Sequence, residues 1–197
     1  MFTNFLFTVI AASQNFNIDK HLQHVIPEKF QVEFEYDYHE EGQGNNEKGE
    51  KGNLIVNKNQ YRINFDDREI ICNGEKMWHY NKKSNKPVNV INEVDDEDNP
   101  LLLITNYKKY FTPENVVKKN NLYIIKMIPK QNEDNDLDIK YFEIICDDKF
   151  VQQLNIFNED NSWMSIRFFH WDVKKNIPNK LFSFDHKKNN AKIVEIN

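Results

Sequence analysis

The sequence predicts a mainly β protein (α+β) in which one long antiparallel sheet carries two or three helices. Apolar and polar residues alternate along most of the chain, which is the pattern of strands with one buried face. Aromatic residues fill 13% of the 197 positions, and aromatic side chains favour strands. The segments between the predicted strands lack the helices that parallel crossovers need, so we expect antiparallel pairing.

About eleven strands are predicted. The first is the clearest, because apolar side chains at every second position from Phe30 to Tyr38 alternate with polar ones. Runs of the same kind follow at short spacing through residues 52–91 and 121–171, and two shorter ones occur at 180–184 and 192–195. The Asn-Gly pair at 73–74 separates two apolar runs, which is typical of a tight hairpin.

Two helices are predicted among these strands. The first covers residues 18–26 and is followed by a proline. The second interrupts the strand pattern after an acidic loop, where Asn99 can cap a helix and Pro100 suits its first position. The apolar residues of this second segment then share one side, as expected of a helix that packs against a sheet.

A sheet of this size cannot stay flat, and two outcomes remain open. If it curls into a barrel or half-barrel, its aromatic face lines a concave side that short helices can cover but not fill, which leaves an apolar pocket under a lid. If it splits into two packed layers, the same residues form an ordinary core. The pattern alone does not separate these alternatives.

Charge and motif content argue against several classes of function. The net charge is −5 with acids and bases mixed, whereas nucleic-acid binders carry a basic face. Only five glycines occur, and the motifs of phosphate loops, serine hydrolases and zinc proteases are absent, so we expect neither an enzyme nor a cofactor. The six histidines are scattered and carboxylates 95–98 lack calcium-loop spacing, so we expect no metal site. We also expect no membrane span, because no apolar run is long enough.

Residues 1–13 have the pattern of a secretory signal peptide, with an apolar run that ends in small residues. The pattern is atypical because no basic residue precedes the run, and the alternative is an apolar N-terminal strand or helix of a cytoplasmic protein. With the signal removed, residues 14–197 form a single domain. Cys72 and Cys146 each end an apolar run, so one disulfide and two buried thiols are both consistent with the sequence.

The order of motifs from Gly52 to Tyr80 is distinctive. G-N-L-I-V is followed by Y-R-I-N-F and then by I-I-C-N-G-E-K-M-W-H-Y-N. A Pro-led apolar helix comes next, and the chain ends with an alternating strand and an F-x-F segment at Phe182 and Phe184. In this order and spacing, residues 17–196 resemble the periplasmic outer-membrane lipoprotein carrier family (LolA).

The resemblance implies an incomplete antiparallel β-barrel of about 11 strands, with two or three helices that form a lid over an apolar cavity. It also implies a monomer in the periplasm that uses no cofactor. Such a carrier receives acylated lipoproteins from an inner-membrane lipoprotein-releasing transporter and passes them to an outer-membrane acceptor. An extracytoplasmic binder of free lipids or other apolar ligands, and an envelope-stress sensor, remain alternatives on the same fold.

The resemblance and the strand alternation together give candidate site residues. Family members carry an Arg just after the G-x-L-x-V strand that latches the lid; here Lys58 stands at that place, and Arg62 follows in the next strand as a second candidate latch. The candidate lid residues are Leu101, Leu102 and Ile104. The candidate lining residues of the cavity are Phe34, Tyr36, Leu54, Val56, Tyr61, Ile63, Trp78, Tyr80, Ile144, Ile156, Ile166 and Phe168.

Overall fold

Thirteen strands form one sheet in the described part of the chain. The computed structural model describes residues 10–11, 16–39, 49–83, 88–91, 103–130, 138–174, 176–185 and 193–196. The strands are β1 (Ile10–Ala11), β2 (Lys29–His39), β3 (Lys51–Asn57), β4 (Gln60–Phe65), β5 (Arg68–Cys72), β6 (Met77–Asn81), β7 (Val88–Ile91), β8 (Phe111–Lys119), β9 (Leu122–Pro129), β10 (Ile139–Cys146), β11 (Val151–Asn158), β12 (Trp163–Asp172) and β13 (Ile193–Ile196). Because the segment 1–13 is described only at β1, the export signal stays a prediction.

Two α-helices accompany the sheet, α1 (Ile18–Val25) and α2 (Leu103–Tyr110). The side chain of Asn17 caps α1 by accepting the N–H of Lys20 at 2.8 Å. Both predicted helices are confirmed, although the predicted start of the second at Pro100 lies outside the described residues. In the described ranges, neither helix is long and apolar enough to cross a membrane.

The order of the strands makes the sheet an open one. It runs β1-β8-β9-β10-β11-β12-β2-β3-β4-β5-β6-β7-β13, so β1 and β13 stand at opposite ends. The predicted incomplete barrel is therefore confirmed. The prediction of purely antiparallel pairing is wrong at one place, because β13 pairs with β7 in parallel. A long connection, rather than a hairpin, separates these two strands and allows that direction.

Two segments differ from their predicted structure. The strand β8, which the sequence did not predict, lacks alternation because Pro113 interrupts it and Val116 is followed by Val117. Its pairing with β9 shifts between Pro113 and Asn115, and proline is tolerated at such a bulge. The predicted strand 180–184 is instead replaced by a short 3₁₀ helix, Asn179–Phe182.

The two faces of the sheet are covered differently. Alternate residues of most strands turn to the face on which α1 and α2 pack, and with the helices they form one buried apolar group, here called the inner cluster. On the opposite, outer face, Ile177 and Phe182 of residues 176–185, here called the C-terminal segment, form a small buried group with Ile55 of β3. The described residues thus form one sheet covered by helices, and the sandwich alternative is excluded for them.

Candidate functional site

Most of the predicted lining residues come together in the inner cluster. The strict alternation of their strands turns them to the same face, and none of the nine is more than 3% exposed. They are Phe34, Leu54, Val56, Tyr61, Ile63, Ile144, Ile156, Ile166 and Phe168. Tyr36 is partly buried and packs against the same cluster.

Trp78 and Tyr80 lie elsewhere, on the outer face. Alternate residues of β6 face opposite sides of the sheet, and Met77 is the one that belongs to the inner cluster. The ring of Tyr80 packs against Phe184 of the C-terminal segment, with centroids 5.1 Å apart. The structure therefore removes Trp78 and Tyr80 from the lining set, and Met77 and His79 occupy the inner positions instead.

Side-chain packing explains why the G-x-L motif has a glycine. Gly52 lies opposite Phe34 in the β2–β3 pair, and a Cβ atom at Gly52 would lie 2.5 Å from Cζ of that ring. Phe34 is fully buried and meets Phe65 edge to face, with centroids 5.6 Å apart. Glycine therefore leaves the space that this aromatic pair needs inside the inner cluster.

The two α-helices form the cover of the inner face. Their buried residues are Leu22, Val25, Leu103, Ile104, Tyr107 and Tyr110, none more than 8% exposed. The candidate lid residue Ile104 thus contacts the inner cluster, whereas Leu101 and Leu102 lie outside the described residues. Each helix has eight residues, and helices this short depend on such packing for their stability.

Lys58, the first candidate latch, lies in the β3–β4 turn. Its backbone takes a positive φ of 58°, and its N–H donates to the carbonyl of Glu28 at 2.8 Å, which ties the turn to the segment after α1. A groove of about 430 Å³ opens here between this segment, the turn and α2. Its lining residues are Ile26, Pro27, Glu28, Val56, Lys58, Asn59, Thr105 and Asn106. Val56, which lines the groove, also belongs to the inner cluster.

Arg62, the second candidate latch, lies on the outer face and holds a different segment. Its Nη2 donates to Oε2 of Glu69 at 2.6 Å, and its Nη1 donates to the carbonyl of Leu181 at 3.2 Å. Nζ of Lys82 lies 3.6 Å from the other oxygen of Glu69. Because Arg62 stands between two inward-facing residues of β4, its side chain points away from the helices. The structure thus corrects its assignment: Arg62 fastens the C-terminal segment and not the lid.

A charged group joins β2, the residue just before β3, and β5. The hydroxyl of Tyr36 donates to Oε2 of Glu50 at 3.0 Å, and Arg68 pairs with the same carboxylate through both terminal nitrogens. The guanidinium carbon of Arg68 also lies 4.0 Å from the centroid of the Phe65 ring. The Arg68 hydrogen bond lowers the pKa of Glu50, while burial raises the pKa of Tyr36. At neutral pH this group therefore contains an ion pair and a neutral phenol.

Both cysteines are buried, and no disulfide bond joins them. Sγ of Cys146 lies 3.5 Å from Nε2 of His21 on α1, and the His21 ring packs against Tyr123 with centroids 4.5 Å apart. Burial raises the pKa of Cys146 to about 12, so the group is a thiol at neutral pH and not a nucleophilic thiolate. The contact seats α1 on β9 and β10. No group of three or more potential metal ligands occurs among the described residues.

The sequence reasoning missed Trp171, which belongs to the inner side. The pairing of β12 with β2 shifts near His170, whose φ is 56°, and this bulge turns Trp171 inward. Its ring lies 4.9 Å from that of Phe30, and its Nε1–H donates to the carbonyl of Val151 at 3.0 Å. A histidine gives no sequence signal for such a bulge. The alternation did offer a usable signal for other inner residues that were left out, namely Phe30, Val32, Phe142 and Leu154.

Comparisons with known proteins agree on one family. The family model of the outer membrane lipoprotein carrier protein LolA matches residues 28–185. The outer-membrane lipoprotein carrier proteins of Francisella tularensis strains WY96-3418 and SCHU S4 are 28% identical over 165 residues, 79% of this chain and 77% of theirs. A LolA superfamily protein from Nitrosomonas europaea aligns with a TM-score of 0.51 at 8% identity over 85% of this chain and 96% of its own. An uncharacterized conserved protein from Thermus thermophilus aligns with a TM-score of 0.56 at 9% identity, over 90% and 96% of the two chains. At these identities the structural likeness concerns the fold alone.

Proposed function

The chain belongs to the outer membrane lipoprotein carrier protein (LolA) family, and from this premise we propose that it carries acylated lipoproteins across the periplasm. It takes them from a transporter at the inner membrane and delivers them to an acceptor at the outer membrane, with the acyl chains held against the inner cluster. One observation carries this proposal: the inner cluster is shared between a rigid sheet and two short helices. An apolar surface can therefore be uncovered by moving the helices, without unfolding the sheet.

Hydrophobic transfer supplies the affinity. Burying an acyl chain contributes ~0.8 kcal/mol per CH₂, so a sixteen-carbon chain gains roughly 12 kcal/mol. Aromatic and aliphatic side chains such as Phe34, Ile63 and Phe168 suit such a chain, because their contacts are apolar and do not depend on direction. No bond-making chemistry is required of these residues.

Competition between cargo and lid keeps the affinity moderate. In the closed protein, residues such as Leu22 and Ile104 cover the face that the acyl chains need. The net affinity is therefore the difference between burying the chains and displacing the helices. A carrier needs this balance, because a site that kept the full transfer free energy would not release its cargo.

We expect the acyl chains to enter through the groove beside α2. Its volume of about 430 Å³ lies within the range of small-molecule sites, and its lining residue Val56 belongs to the inner cluster. Polar groups at its mouth, such as those of Glu28 and Lys58, suit the part of the cargo that stays in water.

Co-purification tests the proposal. The full chain is expressed in bacteria together with a lipoprotein, or with a variant lipoprotein whose acylated cysteine is replaced by serine. We expect the acylated form to be retained and the serine form to be lost, as judged by mass spectrometry of the bound material. Recovery of phospholipid alone would contradict the carrier function and support a binder of free lipids.

A matched pair of variants on α2 tests the entrance. Asn106 lines the groove and Lys108 is exposed on the same helix outside it. Asn106→Trp fills the groove, so we expect less lipoprotein to be retained, whereas Lys108→Trp adds the same side chain and should change nothing. Equal retention by both variants would exclude the groove as the entrance.

A further inference from the structure

Among the described residues, the hydroxyl of Tyr107 lacks the hydrogen-bond partner that buried polar atoms normally have. Tyr107 of α2 is 5% exposed, and within the described structure its hydroxyl is buried and forms no hydrogen bond. Most buried side-chain polar atoms are hydrogen-bonded, and an unpaired one destabilises the fold. Two other tyrosines of the cluster have partners: the hydroxyl of Tyr61 donates to the sulfur of Met77 at 3.1 Å, and Lys118 donates to that of Tyr123 at 2.9 Å.

The Tyr107 hydroxyl is a hydrogen-bond donor at every physiological pH. Burial raises its pKa to about 12, and the negative charge of Asp19 on α1 acts in the same direction. The phenol therefore keeps its proton and requires an acceptor oxygen. Leu103 and Ile104 of the same helix are buried in the same cluster, while the charges of Asp19 and Lys108 lie near the Tyr107 side chain.

An acyl chain brings an acceptor of this kind into an apolar site. The chain itself is hydrocarbon, but the ester or amide at its head carries a carbonyl oxygen that loses its water when the chain is buried. A few polar groups in an apolar pocket typically fix the orientation of a ligand. An unpaired donor on the lid helix meets both requirements.

Building on the proposed function, we propose that the Tyr107 hydroxyl donates a hydrogen bond to the carbonyl oxygen of the bound acyl ester or amide. The contact makes the site selective for acyl groups over plain hydrocarbon chains of the same length. It also fixes the head of the chain near α2, beside the groove. The unpaired hydroxyl thus destabilises the empty protein, and the hydrogen bond to the cargo removes this destabilisation.

A pair of lipids that differ only in their carbonyl groups provides the test. A dipalmitoylglyceryl-cysteine peptide and its dihexadecyl-ether analogue have matching chains, but the ether has no carbonyl on those chains. Calorimetric titration of the full chain should show that the ester binds roughly tenfold more tightly than the ether. Tyr107→Phe should bring the ester down to the affinity of the ether and leave the ether unchanged.

Two controls separate this contact from a structural effect. Tyr123→Phe removes a hydroxyl whose partner is Lys118, so the preference for the ester should persist. The empty Tyr107→Phe protein should be at least as resistant to urea as the wild type, because the substitution removes an unpaired polar group. A loss of stability together with equal losses for both lipids would overturn the assignment.

The remaining outcomes distinguish this inference from the proposed function. Equal affinity of the wild type for ester and ether overturns the hydrogen bond and leaves the carrier function standing. Failure to bind either lipid overturns both. Dipalmitoyl phosphatidylcholine is titrated in parallel: a Tyr107-dependent affinity for this phospholipid but not for the peptide would keep the carbonyl contact and overturn the carrier function.

Discussion

Truncating one lid side chain should loosen α2 without unfolding the sheet. Ile104 is fully buried in the inner cluster, and Ile104→Ala removes its contacts while placing the best helix former in the helix. Large-to-small changes at such sites cost ~2–5 kcal/mol. If those contacts exist only while the lid is closed, a loss of about 3 kcal/mol makes opening roughly a hundredfold more frequent.

Native-state hydrogen exchange measures this opening residue by residue. We expect the amides of α2 to exchange faster in Ile104→Ala than in the wild type, with a free energy of opening that stays below the global free energy of unfolding. The control is Ile144→Ala, which truncates an equally buried isoleucine paired with both β9 and β11. In Ile144→Ala the slowest amides of the sheet should exchange faster. The free energy of the local opening of α2 should stay as in the wild type.

A uniform response would refute the reasoning. If the α2 amides exchange only through global unfolding in the wild type and in both variants, then α2 is a permanent part of the core. The competition between cargo and lid would then have no structural basis.

Three further predictions follow from contacts described above. Arg62→Gln should lower the free energy of unfolding in urea by ~1–3 kcal/mol, because it breaks a part-buried pair and frees the C-terminal segment. Arg167→Gln breaks a more exposed pair and should lower the free energy of unfolding less. A loss above ~1 kcal/mol would contradict this difference between part-buried and exposed pairs. Burial lowers the pKa of His79, so its contribution to stability is present above the unfolded-state pKa and is lost as pH falls through the folded one. His79→Gln should therefore flatten the loss of stability as the pH falls below the ordinary histidine pKa of about 6.5 in denaturant titrations. Gly52→Ala should lower the melting temperature, because its Cβ collides with the ring of Phe34; an unchanged value would disprove this packing.

Alternation predicted the face of a strand wherever only one of its faces is apolar. The inner positions of β2, β3 and β4 carry apolar residues and the outer ones mostly polar residues, so Phe34, Leu54 and Ile63 lie on the face that alternation predicts. In β6, residues on both faces have large side chains, and the face that carries the aromatic residues Trp78 and Tyr80 was assigned to the cavity. Tyr80 lies on the outer face, where Phe184 packs against it. This contact joins segments that are far apart in the chain, so the alternation within one strand cannot predict it.

The role of Arg62 was beyond prediction for the same reason. Its acceptor is the carbonyl of Leu181, and the two residues are 119 positions apart in the chain. A motif places the arginine on a strand, but the partner depends on where the C-terminal segment crosses the sheet. Local pattern therefore identified the elements, and long-range packing decided which side chain holds which segment.

The bulge at His170 divides the three tryptophans of the chain between two environments. Trp78 and Trp163 lie on the outer face, where Trp163 stacks on His39, whereas Trp171 lies among the aromatic rings next to the proposed cargo. Intrinsic fluorescence should therefore contain one emitter that responds to loading and two that do not. With Trp78 and Trp163 replaced by phenylalanine, the remaining indole would report occupancy in real time, with no attached dye.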